Sequence, residues 1–213
     1  MSRIQTTTHL PGRLPRSGNA ALAAGALIQA ALGAVFVFAG LGKIVAPHYT
    51  QQFRDFVQGS AGANSGPLSP LVQTLVMPNI DVVAQVARFT ELIAGVVLVV
   101  GAFEVARRRF AGPLGARRGY EPIVALISAG AAFVLGGLSL SIYLLQGGRL
   151  PSVDPDLAFV SPIAIELLLV PIAIGVAWLE VGRFLALRSN APGPMSHPRH
   201  AARLRMQPAQ EAT

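Results

Sequence analysis

The chain has no cysteine, which excludes disulfides, thiol relays and iron–sulfur clusters held by its own residues. Histidine is nearly as scarce. His9, His48, His197 and His200 are the only ones, and none lies inside a long apolar run, so a haem held by two histidines between membrane helices is not expected. His197 and His200 sit in a Pro- and Arg-rich tail, which reads as a solvated segment and not as a metal site, and no metal is expected. Charge is the third scarcity: 13% of residues are charged and 52% hydrophobic, with mean hydropathy +0.53, where a soluble domain carries about 25% charged residues. The net charge of +7 lies outside the apolar runs. It therefore reads as topology information, and nucleic acid is not an expected partner.

What is present is a set of runs long enough to cross a bilayer. The first extends from about Ala20 to Gly42 without a charge, long enough for a hydrocarbon core of ~30 Å at 1.5 Å per residue, and too long for a signal-peptide core. It reads as a retained anchor. The second is taken from about Val82 to Phe103, because the uncharged part beginning at Leu92 is too short to cross alone, and this draws Arg88 and Glu91 inside. The third runs from about Pro122 to Leu145, with proline at the helix start, where its missing N–H is harmless. The fourth runs from about Phe159 to Leu179, with Pro171 in its interior as an expected kink. The expected fold is an all-α membrane protein, a four-helix transmembrane bundle with a long extracytoplasmic loop between its first and second spans. Residues 1–19 would be a cytoplasmic segment, 20–188 the bundle, and 189–213 a disordered cytoplasmic tail carrying Pro192, Pro194, Pro198 and Pro208.

The arginines orient the bundle. Arg3, Arg13 and Arg16 precede the first span, Arg107, Arg108, Arg109, Arg117 and Arg118 lie between the second and third, and Arg183, Arg188, Arg199, Arg203 and Arg205 follow the fourth. The remaining connections hold Arg54 and Arg149, with Lys43 at the membrane edge. The positive-inside rule then places both termini and the Arg-rich loop in the cytoplasm; the same arginines are also suited to anionic lipid headgroups. Between Ile44 and Asp81, Phe53, Phe56 and Val57 follow Tyr49 at helical spacing, and Leu71, Leu75 and Val76 come after a Gly/Ser/Asn/Pro stretch. These read as two short apolar pieces on the outer face.

Ionisable residues inside spans are costly, roughly 2.5–3.5 kcal/mol each on insertion scales, so they mark pairing or function. Arg88 and Glu91 lie ~9 and ~13 Å from the outer end of the second span and share a helix face, and Glu166 lies ~10 Å down a fourth span begun at Phe159. Lys43 closes the first span, while Ser139, Ser141 and Tyr143 occupy the outer half of the third. Lys43 and Arg88 balance Glu91 and Glu166 in charge. One reading is a compensated ion network that fixes helix register. Another is a pocket for a quinone headgroup or a small anion, with Arg88, Glu91 and Glu166 as catalytic groups and Lys43, His48 and Tyr143 holding the ligand. Transport of a small anion is a third. The run Gly40-Leu41-Gly42-Lys43 lacks the spacing of a phosphate loop. Ala26, Ala30 and Ala34, with Ser128, Ala132 and Gly136, are small residues at helix-packing spacing. Gln29 reads as an interhelical hydrogen-bond donor, and Trp178 as an interfacial anchor.

Phe36-Val37-Phe38-Ala39-Gly40-Leu41-Gly42-Lys43-Ile44, an outer loop, and Ala87-Arg88-Phe89-Thr90-Glu91-Leu92-Ile93-Ala94-Gly95-Val96 leading to a basic turn together resemble the DoxX/DoxD superfamily of small bacterial membrane proteins. Gln58-Gly59 and the stretch from Asn64 to Pro70 look more like its DoxD branch, which is linked to thiosulfate:quinone oxidoreductase. The resemblance covers the first half of the chain best, with Lys43, Arg88 and Glu91 matching the family's polar pattern; Glu166 rests on depth alone. It implies a four-helix bundle in the bacterial cytoplasmic membrane, acting as the membrane subunit of a quinone-linked oxidoreductase alongside other membrane or redox subunits. The alternative is a non-catalytic scaffold that docks partners through its Arg-rich loop.

Overall fold

The computed structural model describes residues 16–110, 120–148 and 163–189. Among them every regular element is helical. The physical reason is the solvent: in hydrocarbon no water can take up backbone N–H and C=O groups, so an apolar run satisfies them within itself as a helix. The long helices are α1 (Arg16–Val45), α5 (Ile80–Phe110), α6 (Glu121–Leu145) and α7 (Ile165–Ser189). Four helical segments are long and apolar enough to cross a membrane, Ala21–Val45, Ser69–Arg107, which joins the turns before α5 to α5 itself, Glu121–Leu145 and Ile165–Ser189. The chain is thus a multi-pass, all-α membrane protein with a four-helix bundle.

The helices lie antiparallel in cyclic order, α1 against α5, α5 against α6, α6 against α7, and α7 back against α1. Small residues set the closest approaches. A Cβ added to Gly33 would lie 2.8 Å from the Gly95 carbonyl oxygen, and one added to Gly95 would lie 2.8 Å from that of Gly33. At Gly40 it would stand 2.8 Å from the Leu92 amide nitrogen. Gly136 meets Ala173 between α6 and α7, and Gly25 meets Leu179 between α1 and α7. Membrane helices gain association from such backbone proximity, because lipid tails offer no hydrophobic drive between them. The outward faces carry Leu27, Phe38, Phe103, Phe133, Ile174 and Trp178, all largely exposed, as lipid contact requires.

The fourth helix departs from the sequence-based boundaries. It begins at Ile165, and Phe159 lies outside the described residues. It also continues past Leu179 to Ser189, because Glu180 and Arg183 neutralise each other at i,i+3 instead of ending the helix. Pro171 sits inside α7 without interrupting it. The expected disordered tail lies outside the described residues, apart from Ser189, which is helical.

Between α1 and α5 the chain folds back as a cap, in which the two short apolar pieces pack against each other. It comprises α2 (Tyr49–Gly59), the short α3 (Ala61–Ser65), the single turn α4 (Ser69–Leu71), a π-helical turn at Val72–Val76 and a 3-10 turn at Met77–Asn79 that runs into α5. Val57, Ala63, Val72 and Ile80 form a small second core, packed with Phe53, Leu68, Val76, Met77 and Leu145 at the end of α6. Arg54 donates to Asp81 at 3.0 Å and Gln85 to the Thr50 hydroxyl at 3.4 Å, laying α2 along the first turns of α5.

Each of the four long helices shows the same sequence of layers from the capped end to the end that carries the termini. In the middle, Leu32 and Phe36, Ala94 and Leu98, Ala132 and Leu135, and Ala173 and Val176 form one buried apolar cluster, two residues from each helix. On the capped side of it lie Lys43, Glu91, Ser139 with Tyr143, and Glu166; on the other side lie Gln29, Glu104, Ser128 with Glu121, and Glu180.

Candidate functional site

Antiparallel packing of α1 on α5 brings Lys43 to Glu91. Side chains on a helix lean toward its N-terminus, so Lys43, in the last turn of α1, leans back into the bundle while Glu91 leans toward the cap. They meet as an ion pair, Lys43 Nζ donating to Glu91 Oε1. The Glu91 side chain is 2% exposed and that of Lys43 29%, so the pair runs from the protein interior to its surface. Glu91 Oε2 is buried and has no hydrogen-bond partner among the described residues.

Arg88, one turn earlier on the same face of α5, completes no ion pair among the described residues. Its guanidinium carbon lies 5.0 Å from the centroid of the exposed Phe89 ring, and its Nε is buried without a hydrogen-bond partner among the described residues. Of the four charges expected to balance, Lys43 and Glu91 form an ion pair, whereas among the described residues Arg88 pairs with neither Glu91, three residues on, nor Glu166. Lys43, Arg88 and Glu91 together carry a formal charge of +1.

The cap supplies a fourth group that sequence reasoning placed in the loop but not in the site. Tyr49, the first residue of α2, is buried, and among the described residues its hydroxyl has no hydrogen-bond partner. Burial pushes its phenol up from 10.0 to about 12; the charge on Glu91 adds to the rise and that on Arg88 opposes it. Tyr49 is therefore a neutral donor at ordinary pH, held close enough to both charges to feel them. The signal was legible in the i, i+4, i+8 spacing of Tyr49, Phe53 and Val57, which turns one face of α2 inward.

The remaining expected site residues stand at the start of α2 and at the capped ends of α6 and α7. Glu166 sits in the first turn of α7, shallower than the ~10 Å expected from a start at Phe159, and accepts a 3.4 Å hydrogen bond from Gln146. His48 is exposed at the N-cap position of α2 and makes no side-chain capping bond. Tyr143 is buried near the end of α6, by the Gly147-Gly148 turn. Among the described residues no three His, Asp or Glu side chains come together as a metal-binding group.

Toward the termini the bundle holds polar groups that sequence reasoning did not single out. Glu104, Glu121 and Glu180 are buried. Arg107 bridges Glu104 and the Tyr120 hydroxyl at 3.0 and 2.8 Å, and Arg183 bonds Glu180 at 3.1 Å. The signal was an acid three residues before an arginine, twice, on helices. At the floor of the apolar layer Gln29 Nε2 donates to the Leu98 carbonyl at 3.2 Å, the interhelical bond expected of it. Gly101 leaves room there for Gln29 and for Ser128, whose buried hydroxyl has no hydrogen-bond partner.

Comparison of the chain with protein-family models, with curated proteins and with solved structures finds no match. Fold and site together define a class: a multi-pass helical membrane protein with a buried, incompletely satisfied polar cluster under a helical cap.

Proposed function

We propose that the chain is the membrane subunit of a quinone-linked oxidoreductase and that Lys43, Tyr49, Arg88 and Glu91 bind the quinone headgroup. The observation that carries this reading is that three buried polar atoms, Tyr49 Oη, Arg88 Nε and Glu91 Oε2, have no hydrogen-bond partner among the described residues, while Tyr49 feels the charges of both Glu91 and Arg88. Such atoms each cost about 1–3 kcal/mol when left unmade, and a ligand bearing hydrogen-bond acceptors satisfies the two donors. A quinone carbonyl accepts from Arg88 and Tyr49, while the Lys43–Glu91 pair provides the proton-transfer groups that quinone reduction needs. Phe89 and Ile93, exposed on α5 beside the cluster, suit an isoprenoid tail entering from the bilayer. His48, Tyr143 and Glu166 would flank this site from the cap and from the ends of α6 and α7.

The arginine distribution supports termini in the cytoplasm and the cap outside, and the resemblance to the DoxX/DoxD superfamily supports a bacterial cytoplasmic membrane. The resemblance to the DoxD branch supports thiosulfate as electron donor and other redox subunits as partners. The test is quinone titration of the purified protein together with thiosulfate-dependent quinone reduction in complexes isolated from native membranes. Arg88→Gln and Tyr49→Phe should each weaken quinone binding about tenfold, the loss of one good hydrogen bond, with the bundle still folded. Unchanged binding and turnover in both would remove the quinone reading in favour of the scaffold.

A further inference from the structure

The layering of the bundle gives proton exchange at the capped site a direction. We infer that Glu91 exchanges its proton with water at the capped end alone, by way of the Lys43 ammonium, and that the central apolar layer closes the route to the other side. This deepens the quinone reading by naming the side of the membrane that supplies its protons, yet it concerns groups that exchange protons with or without a quinone.

The closed side rests on the order of residues along every helix. From Glu91 toward the termini, the buried side chains on α5 are Ala94, Leu98 and Ala102 before Glu104 is reached. Opposite them stand Phe36 and Leu32 of α1, Leu135 and Ala132 of α6, and Ala173 and Val176 of α7, packed as one cluster. Glu91 and the level of Gly101, where Gln29 and Ser128 meet α5, are ~15 Å apart at the helical rise. A proton hop needs partners within hydrogen-bond reach or one intervening water, and close-packed apolar side chains exclude water. Gln29, at the floor, has its amide committed to the Leu98 carbonyl.

The open side rests on the contrast within the ion pair. Glu91 is sealed, whereas Lys43 holds its carboxylate and is itself 29% exposed. Tyr49 and Arg88 are the other ionisable groups beside Glu91; Tyr143 and Glu166 lie on the capped halves of α6 and α7, the latter bonded to Gln146. The exchange balances simply. A Lys43 N–H bond breaks as an O–H bond forms on Glu91 Oε1, and the neutral amine then takes a proton from water at the capped face. Lysine suits this step because its ammonium can release a proton, which a guanidinium in a protein does not.

The full-length chain in liposomes tests the inference without any quinone. Its orientation is scored by labelling Ser65→Cys, and the Glu91 carboxyl stretch is identified in the infrared by its loss in Glu91→Gln. A pH jump in impermeant buffer on the capped side should change that band, and a jump on the termini side should not. Lys43→Arg, which keeps an ion pair and should keep the melting temperature, should slow the response by at least about tenfold. An equally fast response from the termini side, an unchanged rate in Lys43→Arg, or no Glu91 response to a capped-side jump would each overturn the inference. Quinone titration of the same vesicles separates the two proposals: a sided proton response without quinone binding sinks the function and spares the proton route.

Discussion

Glu91 takes its counter-charge from Lys43 on the neighbouring helix, not from Arg88 one turn away on its own. An i,i+3 pair within α5 would have tied together only residues of one helix; the observed pair fastens the end of α1 to the middle of α5. The two partners are unequal, because Lys43 reaches the protein surface in the last turn of α1 and Glu91 is sealed inside. Lys43→Met, which strands a carboxylate in the interior, should destabilise the bundle by about 3–5 kcal/mol, and Glu91→Leu by less. The double variant should fall well short of the sum of the two. Thermal unfolding in detergent measures all three, and additive losses would mean that the two side chains do not couple.

Gly33, Gly95 and Gly40 each place α1 and α5 at a distance where a methyl group meets backbone at 2.8 Å. Backbone cannot swing aside as a side-chain tip can, so Gly33→Ala, Gly95→Ala and Gly40→Ala should each cost about 1–3 kcal/mol. Gly130 and Gly137 face open space on α6. Alanine at those two positions should leave stability unchanged or raise it slightly, since it is the better helix former. Equal losses in both groups, read from the melting temperature, would argue against close packing of α1 on α5.

The helices were legible because crossing a bilayer imposes length and apolarity together, a constraint visible in one dimension. The capped cluster was partly legible for a related reason: Lys43, Arg88 and Glu91 stood out as charges against an apolar background. Tyr49 did not, because its spacing with Phe53 and Val57 marks an inward face of α2 but not what that face meets, which depends on how α2 folds over α5. Glu104 and Glu180 were hidden by their arginines, which made each look like part of a solvated basic flank when both are buried. Glu166 was set too deep because its depth was counted from Phe159, and the order of layers across four helices emerges only when their register is known.

The antiparallel order of the bundle requires Ser65 in the cap and Ser189 at the end of α7 to lie on opposite sides of the membrane. Because the chain has no cysteine, each can be replaced singly. An impermeant thiol reagent applied to intact cells should label Ser65→Cys and spare Ser189→Cys until the membrane is opened. Reversed labelling would place the cap inside and overturn the orientation drawn from the arginines. Labelling of both in intact cells would contradict the four-span fold itself.

Tyr49 gives the capped site a signature in alkaline solution. Its phenol titrates near about 12 in the folded protein, against 10.0 for an unhindered tyrosine, first because burial disfavours the phenolate and then because Glu91 repels it. Above pH 10 the unfolded chain loses this proton while the folded chain keeps it, so the unfolded state binds fewer protons and stability falls as pH rises. The contribution is complete below pH 10 and is lost on passing through about 12. The melting temperature of the wild type should therefore drop more steeply across that window than that of Tyr49→Phe, which has no proton to lose. The phenolate absorbance of the wild type minus that of Tyr49→Phe should rise near 12; a midpoint near 10 would mean that Tyr49 stands in water and that α2 does not close over Glu91.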